Sequence, residues 1–303
     1  MSFDELMSKA KEIEEGAVDA EYRQLAQYGG RPDYGRIKEK YQDCATPLFE
    51  PFTRIPDPGN YQGIIDQLHG AMSSLSNGAQ MRDPISGDSI GANEDLRSIE
   101  TAADDLNDWS GMAAHAFKAN FLDPFPAIAS NQFLVLGIMK GAVEADQEVW
   151  DKTRTDIVHI ADQTLNALDN VASCSKSDLE FTLSVASAVA AIGAIPFTGG
   201  ASVAFAAVGA ASAVGGAAQK GVKAVKKNGG TAEQVINSMK EGIDELNEEI
   251  RKDQGEITKA LNDYAGEVDR QNKADSPFVS ARPKLAGMSG SVLTSDQGVG
   301  GHD

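Results

Sequence analysis

Trp109-Ser110-Gly111, continuing as Met112-Ala113-Ala114-His115-Ala116-Phe117 and then Phe121, reads as a tight corner between two helices. Upstream, Asn93-Glu94-Asp95-Leu96 predicts a helix start: Asn93 can accept a backbone N–H, and two carboxylates face the positive end of the helix dipole. Leu96, Ile99, Ala103 and Leu106 then form one apolar stripe at 3-to-4 spacing. Beyond the corner, Ala113, Ala114 and Ala116 sit beside Phe117 and Phe121, so a second helix can approach a neighbour closely. Ser110 is the expected cap of that helix, and Gly111 gives close approach without a side chain. Trp109 is expected to bury its ring between the two helices and to offer its indole N–H to a backbone acceptor.

Outside the corner, composition bounds the fold. A chain of 303 residues can hold one large or two modest domains. Proline is sparse inside the long periodic segments, alanine is abundant, and no run alternates Val, Ile, Thr and aromatics as a sheet does. The expected class is therefore all-α, an elongated helical bundle built on the hairpin. A net charge of −18 repels phosphate backbones and anionic lipid over most of the surface, which argues against nucleic acid as a partner. Two cysteines, Cys44 and Cys174, are too few for a disulfide scaffold and lack CxxC spacing; one bridge or two separate thiols both fit. Met1-Ser2-Phe3-Asp4-Glu5 has neither a basic nor an apolar leader region, and Ser2 with Glu5 forms a capping box, so a cleaved signal peptide is not expected.

Six segments follow from periodicity and breakers. Residues 1–28 predict a charged helix from about Asp4 to Gln27. Residues 29–90 are Pro/Gly-rich and irregular, with helical islands near Arg36–Tyr41 and Tyr61–Leu75. Residues 91–175 carry the hairpin, a break at Pro124 and Pro126, and a long helix from about Ala127 to Ala172. Its expected buried face is Met139, Val143, Trp150, Ile157, Ile160, Leu165 and Leu168. Residues 229–273 open on the capping box Thr231-Ala232-Glu233-Gln234 and hold Val235, Met239, Ile243, Leu246, Ile250, Ile257, Leu261, Tyr264 and Val268 at coiled-coil spacing over about five heptads. This helix is expected to pack along the one bearing Trp150. Residues 274–303, rich in Ser, Gly and Pro, predict a disordered tail.

The segment 176–228 reads as an apolar helical hairpin. Ser177-Asp178-Leu179-Glu180 looks like a capping box, Phe181 to Ile195 is almost wholly apolar or small, and Pro196-Phe197-Thr198-Gly199-Gly200 turns the chain. Ala201 to Ala218 returns, ending near Lys220, Lys223, Lys226 and Lys227. One reading buries it in a core through small-residue contacts. The other puts it in lipid around Ile195, Pro196, Phe197, Gly199 and Gly200, with the lysines at the headgroups, although each arm falls short of the roughly 20 apolar residues a bilayer needs.

The corner in its Ala/Phe context resembles the WXG100 superfamily, the helical-hairpin substrates of type VII (ESX) secretion, over roughly residues 92–170. Trp109, Gly111 and Phe117 stand in the family positions. The order of corner, long helix, apolar turn and Gly/Ser-rich end is similar to the larger ESX secretion-associated (EspA/EspE-like) proteins. That resemblance implies a virulence-associated class of protein, secreted or cell-envelope-associated without a cleaved signal. Its implied partners are the secretion machinery, a chaperone or a co-secreted helical protein, with a homo-oligomer and membrane contact as further options. The family's Tyr-x-x-x-Asp/Glu export signal has only a degenerate counterpart, Tyr264 with Glu267 at plus three and Asp269 at plus five, which leaves room for a partner to supply the signal.

Catalytic and cofactor patterns are not found. His69, His115, His159 and His302 have no metal spacing, with His115 and His159 expected as partly buried structural residues. Gly287-Met288-Ser289-Gly290-Ser291 misses the nucleophile elbow, and Gly221-Val222-Lys223 lacks the glycine of a phosphate loop. The functional expectation is a non-enzymatic secretion substrate or secretion-associated protein without a cofactor; the alternative is a membrane-active or pore-forming helical protein using residues 181–218.

Overall fold

The computed structural model describes residues 3–27, 29–76, 81–105, 111–172, 178–185, 223–228, 230–271 and 278–279. The chain is mostly helical. In order come α1 (Phe3–Gln27), α2 (Tyr34–Tyr41), α3 (Thr46–Phe49), two 3-10 turns (Glu50–Arg54, Pro58–Tyr61) and α4 (Gln62–Ser74). Then follow α5 (Glu94–Asp105), α6 (Met112–Phe117), a π turn (Lys118–Leu122) and α7 (Phe125–Ala172). After it come strands β1 (Asp178–Leu183) and β2 (Lys223–Asn228), and α8 (Ala232–Gln271). Two compact units result, one of residues 1–62, 144–190 and 218–258, the other of 63–143, 191–217 and 259–303.

In the first unit α1 is a scaffold for short elements that could not hold themselves. Glu14 reaches across to accept the backbone N–H groups of Ala45 (3.1 Å) and Thr46 (2.8 Å), capping α3, whose own N-cap residue Ala45 has no side chain to do it. Glu21 accepts from the buried Tyr41 hydroxyl and from Lys40, and Lys40 also meets Glu233 at 3.0 Å. Lys9 pairs with Asp162, and Gly16 packs at Leu168, which brings α1 onto α7. The Tyr61 hydroxyl donates to Asp146 at 2.7 Å and accepts from the half-buried Trp150, so that indole has the acceptor it requires. Burial, then Asp146, pushes the Tyr61 phenol up to about 12. α8 starts as its capping box predicts, Thr231 Oγ1 accepting from Gln234 N at 3.2 Å, and Val235, Met239, Ile243, Leu246, Ile250 and Ile257 are buried.

The second unit is organised by a small hairpin over residues 81–90, a stretch the sequence presents only as a Pro/Gly-rich irregularity. Ile90 N donates to Met81 O (3.0 Å), Asp83 N to Asp88 O (2.8 Å), and Arg82 bridges Ser89 antiparallel. Gly87 takes φ +78° at the turn. Asp83 Oδ1 accepts from Ile85 N and Ser86 N at 2.8 and 3.1 Å, while Oδ2 meets Lys140 Nζ at 3.0 Å, with both side chains buried. Pro84 and Ile85 lie directly over Gly137 and Gly141 of α7, one helical turn apart. Met72, Met81, Ile90 and Phe133 form the core beneath. Asn93 caps α5 by accepting from Asp95 N at 3.1 Å and ties it to α4 by donating to Ser74 O at 2.8 Å.

Four expectations need correction. Residues 178–183 and 223–228 are not helical: they pair antiparallel, Glu180 opposite Lys226 and Phe181 opposite Val225. The alternation Leu179-Glu180-Phe181-Thr182-Leu183 is a strand pattern that outweighs the capping-box match at Ser177. Asp156 of α7 holds the exit of β1, its carboxylate accepting from Ser184 N (2.8 Å), Ser184 Oγ (2.7 Å) and Val185 N (2.9 Å). Second, Met139 is 45% exposed, because the buried stripe of α7 runs one position earlier, through Leu134, Ile138, Ala142, Ala145 and Val149. Third, the long helix starts at Phe125: Ile128 N donates to Pro124 O at 3.0 Å, so both prolines fall where no N–H is missed. Fourth, the 274–303 segment is not uniformly unstructured, since Phe278 is buried and its carbonyl accepts from Gln132 at 2.7 Å.

Candidate functional site

The corner is built by α5, Gly111, α6 and the π turn. α5 contacts the π turn. Trp109 and Ser110 lie outside the described residues. Gly111 is exposed with φ +101° and ψ 168°, a conformation that a side-chain-bearing residue adopts only under strain. It occupies the N-cap position of α6, its carbonyl accepting from His115 N at 3.0 Å. The cap is thus the glycine backbone, one residue after the serine expected there.

The aromatics beyond it form a ladder. Phe117 stacks on Phe121 with ring centroids 5.2 Å apart, and Phe121 meets Phe125 at 6.1 Å. Spacing of four keeps the three half-buried rings on one side while the π turn, closed by Asp123 N to Lys118 O at 2.9 Å, carries α6 into α7. His115 is exposed instead of partly buried, whereas His159 is half-buried.

Tyr264, Glu267 and Asp269 all lie on α8. Tyr264 and Glu267, three apart, share a side of the helix, but Asp269 is displaced by about 140° from Tyr264. Glu267 accepts from Arg270 and Gln271, and Arg270 draws its carboxyl below the usual range. Asp269 is exposed. Ile195, Pro196, Phe197, Gly199 and Gly200 lie outside the described residues, as does Cys174. Cys44 is half-buried with its thiol pushed up to about 11, by burial first and then by Glu14.

Other chemistry is sparse. Among the described residues no group of three or more His, Cys, Asp or Glu is arranged to hold a metal ion. A small apolar cavity lies between Leu75, Met81, Leu96, Phe125 and Ala129, with Ser130 its polar wall. One helical stretch, 114–171, is long and apolar enough to cross a membrane, and half of its most apolar window is buried, which a core helix equally satisfies. Sequence reasoning missed the 81–90 hairpin and its seat, for which Gly137-x-x-x-Gly141 was the available signal. The chain matches no family model, no curated protein and no solved structure in comparisons with each.

Proposed function

We propose that this chain is a non-enzymatic type VII (ESX) secretion substrate or secretion-associated protein that acts through helical partner binding. The observation that supports the reading is Gly111 itself: a positive-φ glycine at the start of an Ala-rich helix, in the Trp-x-Gly position, followed by the Phe117 ladder. The partner would be secretion machinery, a chaperone or a co-secreted helical protein, and the destination the medium or cell envelope. A secretion assay tests it. Export should be lost when the secretion-system ATPase is deleted and reduced by Trp109→Ala; unchanged export without the ATPase overturns the reading.

A second reading, a membrane-active protein using residues 181–218, is favoured by one observation. Pairing of β1 with β2 brings Leu183 and Lys223 side by side, so both flanks of the apolar stretch leave from one place. Dye release from anionic liposomes supports this reading, and failure to associate with them at acidic and neutral pH removes it.

A further inference from the structure

The end of α1 and the start of α2 expose an apolar and cationic surface on a chain of net negative charge. Tyr22 and Leu25, three apart on α1, are 38% and 43% exposed, and Tyr34 on α2 is 50% exposed. The two tyrosine rings meet edge to face, centroids 5.6 Å apart at 74°, which fixes them as a platform across the seam between the helices. Lys38 lies one turn beyond Tyr34 on the same side of α2. The connecting loop turns back on α1, Gly29 N donating to Ala26 O at 3.2 Å, and carries Arg31.

Charge in this region runs against the net balance of the chain. Between residues 22 and 41 five cations stand against two carboxylates, in a chain whose net charge is −18. Arg23, Arg31, Arg36 and Lys38 are exposed and have no ion-pair partner among the described residues, unlike Lys40. Asp33, one of the two acids, is exposed and caps α2, accepting from Gly35 N and Arg36 N at 3.0 and 3.3 Å. The exposed tyrosines and arginines have the composition of a binding anchor with a cationic rim, and Leu25 adds apolar area beside them.

We infer that the Tyr22–Tyr34 platform is a docking surface for an acidic amphipathic helix of a partner protein, its apolar stripe on Tyr22, Leu25 and Tyr34 and its carboxylates on Arg31 and Lys38. This goes beyond the secretion reading and uses neither Trp109 nor Gly111. Charge complementarity selects the acidic partner. The scale of the approach selects a helix over a bilayer or nucleic acid: a narrow helix meets only this patch, whereas an extended anionic plane or strand also meets the surrounding acidic surface, repelled within a Debye length of about 8 Å at physiological salt. Three apolar anchors on two helices suit a stripe at i, i+3 and i+7.

The test uses the full chain and fluorescence anisotropy of a labelled synthetic helix about 18 residues long, with a leucine stripe flanked by glutamates, beside a scrambled peptide of equal composition. The wild type should bind the striped peptide and not the scrambled one. Arg31→Glu with Lys38→Glu should weaken binding by about tenfold or more, and Tyr34→Ala by a similar factor. Circular dichroism confirms that these exposed substitutions leave the helices intact. Vesicles of phosphatidylglycerol and a single-stranded oligonucleotide run in parallel. Absence of peptide binding, binding indifferent to both variants, or vesicle or oligonucleotide binding in its place overturns the proposal.

Discussion

Alanine at Gly137 or Gly141 perturbs a place where an irregular segment is seated on a helix backbone. A Cβ at Gly137 would fall 2.4 Å from Pro84 Cγ and 2.5 Å from its Cδ; at Gly141 it would fall 2.4 Å from Ile85 Cγ1. Neither neighbour is the free end of a flexible side chain. To restore an ordinary carbon contact of about 4 Å the hairpin must lift by roughly 1.5 Å. That motion stretches the 3.0 Å pair between Asp83 and Lys140, two side chains otherwise out of water. Overpacking costs about 1–3 kcal/mol, and the short contacts put both sites near the top of that range. Better helix propensity of alanine returns about 1 kcal/mol, leaving a net loss of about 2 kcal/mol at each site. Gly255→Ala on α8 is the control, because nothing lies within 4 Å of its Cβ position. It should stabilise by up to about 1 kcal/mol. Equilibrium urea unfolding followed by far-UV circular dichroism reads all three. The signs must differ: if Gly137→Ala and Gly141→Ala raise the midpoint as Gly255→Ala does, Pro84 and Ile85 are not seated there and the reasoning fails.

Asp83→Ala removes both the carboxylate facing the buried Lys140 and the acceptor of Ile85 N and Ser86 N, and should cost about 3 kcal/mol; adding Lys140→Met should recover only the charge part, as the same unfolding experiment would show. Asp156→Ala removes the acceptor of two backbone N–H groups and a hydroxyl at Ser184 and Val185 and should cost about 2 kcal/mol or more. Hydrogen exchange should quicken first at those two amides. Tyr61, raised from 10.0 to about 12, holds its proton more tightly folded than unfolded. Its stabilising contribution is complete below pH 10 and is lost as pH rises toward 12. Spectrophotometric titration should show Tyr61 ionising earlier in Asp146→Asn, since that carboxylate helps to raise it; an unchanged curve removes the assigned cause.

How much of this could be read in advance depends on the range of the interaction. Helices whose signals are local were legible: the Thr231 cap and the Val235-to-Ile257 stripe of α8, the Asn93 cap of α5, and α1 to within a residue or two. Short elements capped from a distance were not. α3 exists because Glu14, about thirty positions earlier in sequence, supplies its cap, and no window around Thr46 contains that information. The one-position difference at Met139 has a similar origin, because Ile138 and Met139 are both apolar and the facing elements decide which is covered.

The corner and the hairpin seat show the two sides of this rule. At Gly111 the need for glycine is a property of one residue's backbone, φ +101°, and a Trp-x-Gly corner announces it locally. At Gly137 and Gly141 the same residue type is required by what sits above, Pro84 and Ile85, more than fifty residues away in sequence. Small residues four apart say that something approaches a helix closely but carry no address for it. The address here is Asp83, whose carboxylate both shapes the turn through Ile85 N and Ser86 N and meets Lys140 between the two glycines. A buried lysine on an apolar helix is costly unless something answers its charge. Lys140 between two glycines was therefore the residue that demanded an acid from a distant segment, and the Asp-Pro-Ile turn beginning at Asp83 supplies both the acid and the two side chains that fill the glycine gaps.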